Sequence, residues 1–253
     1  RILFHLADLE CQVGLYESAA GTAKRGLKAV QETVVASQMP YTECELLNLN
    51  ALTRALQGYP KESAEPLKEA SYIVEALRDP PSEVLIPGSN IAANKDLMNA
   101  KLLHTRAQVA YYEGKKSESD KLKKEAAREF QKYPDEALKD VRFAAYIYEN
   151  QPQNQELIKK IEEKDNLVKA SYLEMQADKK ANAGGLDSAI NLLNQSLAIR
   201  EKLLQKNSAT IGTTTIKLAD LYLRKGNALK AASLAGSGYE SLSRAVDKGS
   251  PIL

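Results

Sequence analysis

An all-α fold built from antiparallel helix hairpins is what this sequence of 253 residues predicts. Three observations point to it. A glycine followed five residues later by alanine recurs as Gly14 with Ala19, Gly184 with Ala189 and Gly226 with Ala231, the last two copies 42 residues apart. The tetrapeptide Leu6-Ala7-Asp8-Leu9 recurs as Leu218-Ala219-Asp220-Leu221, each at the same distance from the glycine that follows. No segment sustains an apolar-polar alternation of period two, so strands find no support.

The helices follow from spacing. After Gly184, the residues Ala189, Leu192, Leu193, Ser196 and Leu197 return at intervals of three and four. That interval gathers small and apolar groups on one helical stripe. Before Gly226, Leu218, Ala219 and Tyr222 do the same. Glycine has no Cβ and reaches positive φ freely, so it ends one helix and lets the next fold back. The small residue beyond it allows the two backbones to come close. Gly114 with Ser119 reads as a weaker copy. Tyr59 with Ala64 occupies the same places in the second hairpin, with Gly58 one residue early.

Reading outward from these anchors gives about six hairpins, at 1–38, 41–78, 92–132, 135–163, 165–206 and 208–247, forming one array over 1–253. The fourth, 135–163, lacks an anchor and reads as degenerate. Pro134-Asp135 and Ser208 read as helix starts, since short polar side chains cap free N–H groups. Between the second and third hairpins, three prolines at 80, 81 and 87 forbid a continuous helix. The apolar triplet Val84-Leu85-Ile86 within that loop is expected to pack over a neighbouring hairpin.

Composition excludes several classes. Hydrophobic residues make up 43%, and 35 basic against 33 acidic residues leave a net charge of +2, which disagrees with a disordered chain. No apolar run reaches the roughly 18 residues of a membrane-spanning helix. The balanced charge gives no basic concentration for nucleic acid. Lys115, Lys116, Lys121, Lys123 and Lys124 interleave with Glu118, Asp120 and Glu125, which reads as an ion-paired helix surface. Two cysteines, Cys11 and Cys44, read as buried thiols rather than a disulfide framework. The chain begins at Arg1, without Met, and reads as a trimmed soluble segment whose compartment is unknown.

The residues Leu218, Ala219, Tyr222, Gly226 and Ala231 resemble, in order, the pattern of the tetratricopeptide (TPR) family. Leu6, Ala7, Gly14, Tyr16 and Ala19 resemble it too. The 42-residue spacing, the stretch Ala189-Ile190-Asn191-Leu192-Leu193 to Leu197-Ala198-Ile199-Arg200-Glu201-Lys202, and Ser63-Ala64-Glu65-Pro66-Leu67 are similar to the kinesin-light-chain type. Arg106 and Gln176 depart from it where the pattern has Leu. The resemblance implies a right-handed α-solenoid whose first helices line a concave groove.

Carried over register by register, the resemblance implies these groove residues: Phe4 and Asp8; Leu46, Leu49, Asn50 and Thr53; Lys101, His104, Gln108, Tyr111 and Tyr112; Glu174 and Asp178; Ile216, Asp220 and Arg224. Such a mixture can hydrogen-bond a peptide backbone and pocket its side chains. The family's carboxylate clamp is matched by Asn50 and Lys101 only. Phe4, Asp8 and Thr105 fill its other places, and Asp8 would repel a carboxylate.

Catalysis finds little support. There are two histidines, His5 and His104, and no CxxC, HExxH, Walker or GxGxxG pattern in a suitable context. No cofactor and no metal is expected. The function expected is a non-catalytic module that binds a protein or peptide in its groove, as adaptor, assembly factor or sensor. Two alternatives stand beside it: a scaffold that self-associates through its terminal hairpins, and an all-α enzyme.

Overall fold

A computed structural model describes residues 2–32, 39–77, 95–133, 140, 142–143, 166–246 and 250 of the chain. Ten α-helices and a short 3₁₀ turn account for the described elements, and no strand occurs among the described residues. The helices are α1 (Ile2–Gln12), α2 (Tyr16–Gln31), α3 (Pro40–Leu56), α4 (Ala64–Ala76), α5 (Lys95–Tyr112), α6 (Lys116–Phe130), α7 (Leu167–Asn182), α8 (Leu186–Leu203), α9 (Ala209–Arg224) and α10 (Ala228–Ala245). They pair in sequence as five antiparallel hairpins, so the expected all-α class holds. The chain divides into two compact units, one carrying α1–α6 and the other α7–α10. The loop at 79–90 and nearly all of the expected fourth hairpin, with the helix start at Pro134-Asp135, lie outside the described residues.

Every hairpin turns on a glycine in the left-handed region: Gly14, Gly58, Gly114, Gly184 and Gly226 have φ between 78° and 84°, and no other described residue has positive φ. At Gly58, Gly114, Gly184 and Gly226 two backbone bonds close the preceding helix. At Gly226, its own N–H reaches the carbonyl of Leu223 at 2.9 Å and Asn227 N–H reaches Tyr222 at 2.8 Å. This pair satisfies carbonyls a helix end would otherwise leave free.

The same geometry assigns the second turn to Gly58 rather than Tyr59. The expected anchor Tyr59 with Ala64 is therefore one residue out of register. A 3₁₀ turn, Pro60–Ser63, takes up the difference before α4 begins. Ala64 is exposed, and Ser63 is the fully buried small residue five places beyond the glycine.

Counted from the glycines, two small pairs hold each hairpin together. Seven residues before each glycine stands alanine: Ala7, Ala51, Ala107, Ala177 and Ala219. Five residues after stands Ala19, Ser63, Ser119, Ala189 or Ala231. All ten are at most 6% exposed. Where the later residue is serine, its hydroxyl donates to the earlier carbonyl: Ser63 to Ala51 and Ser119 to Ala107, each at 2.8 Å. The second pair lies two helical turns further from the corner. Ser196 Oγ donates to Ala170 O at 2.7 Å, and Cys44 Sγ lies 3.5 Å from Ala70 O. In the last hairpin this pair is Gly212 and Gly238, so close that a Cβ on Gly212 would lie 2.8 Å from Gly238 O.

In the first unit α3 is the central element, packing on α1, α2, α4 and α5, and nearly all of it is buried. Phe4, Tyr41, Leu46, Leu52 and Met98 belong to its core. Cys11 and Cys44 are buried free thiols, as expected. In the second unit α8 packs on both α7 and α9, and Ile190 and Leu193 meet Leu218 and Leu221 in one cluster. Ser208 stands before α9 with extended backbone, but its hydroxyl caps nothing and lies 2.7 Å from Thr210 Oγ1. The side chains that cap are Asn166, accepting from Lys169 N–H at 2.8 Å, and Asn227, accepting from Lys230 N–H at 3.1 Å.

The register at the second turn has a direct test in urea unfolding. Ser63→Ala removes a buried hydrogen bond and is expected to destabilise by about 1 kcal/mol. Gly58→Ala forces a side chain into the left-handed region at a similar cost, about 1–2 kcal/mol. Ala64→Ser, on the exposed neighbour, is expected to change stability by less than about 0.5 kcal/mol.

Candidate binding face of the first helices

The turn glycines give each first helix a common ruler. Positions ten, six and two residues before the glycine lie along one stripe, since these intervals of four keep side chains on one face. On α1 the stripe holds Phe4, Asp8 and Gln12. On α3 it holds Asn48, Leu52 and Leu56; on α5, His104, Gln108 and Tyr112. On α7 it runs Glu174, Asp178 and Asn182, and on α9 Ile216, Asp220 and Arg224.

In the first unit much of this stripe is covered. Phe4 is 2% exposed and belongs to the core, so its ring offers no surface. Asp8 is buried and accepts from Gln12 Nε2 at 2.9 Å. On α3 the one-residue slip matters most. It rotates an assignment by about 100° on a helix. The expected residues Leu46, Leu49, Asn50 and Thr53 are consequently drawn from the wrong faces. Leu46 and Leu49 are core residues. Thr53 is fully buried, its hydroxyl donating to the carbonyls of Leu49 and Asn50. Asn50 is buried eight places before Gly58, where Arg106 and Leu218 stand in their own helices. The stripe residue on α3 is Asn48, 5% exposed, whose Oδ1 has no hydrogen-bond partner.

One turn earlier on the same ruler, Glu45 of α3 faces Lys101 of α5 at 2.6 Å, with both side chains largely buried. Lys101 was expected in the groove; its partner was not. His104 is buried and Gln108 half-buried. Tyr111 is 55% exposed, meets Tyr112 edge-on at 5.3 Å, and carries the Lys123 ammonium 5.5 Å from its ring. Burial, then the neighbouring Tyr111, push the Tyr112 hydroxyl up to about 12. On α6 the expected ion-paired surface takes the form of Lys121 with Glu125, while Lys115 pairs with Glu113.

The second unit builds a charged network on its stripe. Glu174 of α7 meets Arg200 of α8 and, at 2.7 Å, Lys217 of α9. Lys217 also reaches Asp178 at 2.9 Å, and Arg200 bonds the Thr214 hydroxyl. Burial alone would raise the Glu174 carboxyl. Arg200 and Lys217 outweigh it and hold the group below its ordinary value of 4.5. Burial would likewise lower Lys217, but Glu174 and Asp178 outweigh it and hold the ammonium above 10.5. Asp178, Ile216, Asp220 and Arg224 remain exposed, with Arg224 donating to Ala181 O at 3.0 Å and lying 3.8 Å from Asp220. Among the described residues no group of three or more His, Cys, Asp or Glu could hold a metal ion.

Glu174 makes the second unit acid-sensitive. Its folded value is depressed, so its stabilisation is complete above the unfolded value near 4.5 and is lost as pH falls through the folded value. A melting series from pH 7 to pH 3 is expected to show that loss, and Glu174→Gln should flatten it. At pH 7 the same substitution leaves Arg200 buried without its anion and is expected to cost about 3 kcal/mol.

No protein-family model matches the chain. No curated protein matches it in sequence. Among solved structures, it is similar to the crystal structure of BtubC (BKLC) from P. vanneervenii, with TM-score 0.50 and 15% identity, covering 89% of this chain and 90% of that one. A likeness at that identity establishes a shared helical-repeat fold.

Proposed function

We propose that the chain is a non-catalytic TPR-type module that binds a protein or peptide segment along the stripes of its first helices. One observation carries the reading: the stripes hold polar groups that packing does not require. Asn48 is the case on α3, an amide oxygen shut from solvent with no partner, a condition it shares with Asn50 of the same helix, Gln57 at its end, and Glu10. Leaving such a group unsatisfied costs about 1–3 kcal/mol, a cost that a hydrogen bond from a ligand's backbone N–H would relieve. Exposed Asp178, Asp220, Arg224 and Tyr111 add side-chain recognition. The resemblance to TPR proteins supports the choice of a peptide as ligand.

A second reading, the self-associating scaffold, is favoured by the exposed apolar residues. Of ten exposed large hydrophobics among the described residues, seven lie on α1, α9 or α10.

Affinity capture from a peptide library, followed by titration of the captured peptides, tests the first reading. Asn48→Ala, and Asp220→Lys with Arg224→Glu, are each expected to weaken a captured peptide at least about tenfold, as loss of a main binding contact does. Binding unchanged by these and by Tyr111→Ala with Tyr112→Ala would overturn the site.

A further inference from the structure

The turn glycines put the second helices on a common ruler as well. Positions three, seven, ten and fourteen residues after the glycine follow one stripe, since steps of three and four keep side chains on one face. In all five described hairpins every residue at these places is exposed. The row is the solvent side of each hairpin, so packing does not set its residues.

On four of the five helices the row carries a carboxylate: Glu17 on α2, Glu65 on α4, Asp187 on α8 and Glu240 on α10. On α6 it reads Ser117, Lys121, Lys124 and Arg128, with no carboxylate. The three cations stand within about 10 Å along the helix axis. Lys121 has only Glu125, at 3.9 Å, with the two side chains 78% and 40% exposed. Among the described residues Lys124 and Arg128 form no ion pair. Acids and bases alternate closely along this stretch of sequence, but the helix sorts them. Glu118, Glu125 and Glu129 fall along one side of the row and Asp120 along the other.

We infer that the α6 row docks an acidic peptide segment of a partner protein. The class of partner follows from the flanks. A narrow chain laid along the row meets the three cations and keeps clear of the carboxylates beside them. A broad polyanion, such as a nucleic acid or an anionic bilayer, covers the full helix width of about 10 Å and meets those carboxylates too. The row also lacks the apolar side chains with which a surface helix enters a bilayer. Three carboxylates about 5 Å apart match the rise between Lys121, Lys124 and Arg128. This contact lies on a second helix and is independent of the first-helix stripes. Exposed ion pairs are weak singly, and they act chiefly on the rate of capture and its dependence on salt.

Fluorescence anisotropy of a labelled hexaglutamate peptide at low ionic strength tests the inference. Lys121→Gln, Lys124→Gln and Arg128→Gln are combined; all three places are exposed, and the melting curve should not move. Each exposed pair contributes a few-fold, so the combined variant is expected to weaken hexaglutamate binding about tenfold. Lys124→Glu alone should weaken it severalfold. Lys24→Gln with Lys28→Gln, at the corresponding places on α2, should change binding less than about twofold. Raising the salt to about 0.3 M should release the peptide from wild-type chain. Hexaglutamate that wild-type chain does not bind, that the combined α6 variant binds equally well, or that the α2 variant loses equally, overturns the row as the site. A short oligothymidylate, or vesicles containing phosphatidylserine, bound at the row more tightly than hexaglutamate overturns the peptide as its occupant.

Discussion

Close approach of two helix backbones is the constraint on which everything else in this chain depends. A glycine at positive φ ends each first helix and returns the chain at once. The return is possible only because small residues face each other seven before and five after it, and again two helical turns further on. Side chains of ordinary size at those four places would separate the helices. The serines at 63 and 119 show how short the gap is, since a hydroxyl on one helix reaches a carbonyl of the other. With these places fixed, the rest of each first helix divides into a face for the preceding hairpin and a stripe left for polar groups.

The stripes differ between the two units in how their polarity is satisfied. In the first unit Glu45 and Lys101 satisfy each other, and Asn48 is left with an oxygen unpaired. In the second unit one carboxylate, Glu174, gathers two cations and draws α7, α8 and α9 together. A first helix is therefore both a structural brace and the carrier of whatever recognition the chain performs.

Much of the fold was legible in the sequence, because glycine and alanine at a hairpin corner are imposed by backbone geometry. Where the signal was a clear Gly-to-Ala step, as at Gly184 and Gly226, helix boundaries and register followed. At Gly58 the step ends on serine, and the visible alanine lies one residue later. By residue type alone Ala64 matches the other corners, whereas Ser63 fits the space and supplies a hydrogen bond. That slip carried Leu46, Leu49, Asn50 and Thr53 to the wrong face. The alanine seven before every glycine was the available signal that would have corrected it. Arg200 and Lys217 were missed for another reason: side chains long enough to cross between helices are assigned by reach, which spacing does not encode. Phe4 was misplaced because stripe position does not reveal how deeply a neighbouring element covers it.

The buried Glu174 network has a consequence for heat. Charges withdrawn from water lose favourable hydration, and that hydration itself becomes less favourable as temperature rises. Apolar burial gains little more over the same range. Relative to the alanine seams that close each hairpin, the junction held by Glu174, Arg200 and Lys217 therefore holds its strength better on warming. The boundary between the last two hairpins is in this sense a thermal clasp, tightest in comparison with its surroundings when the chain is hottest.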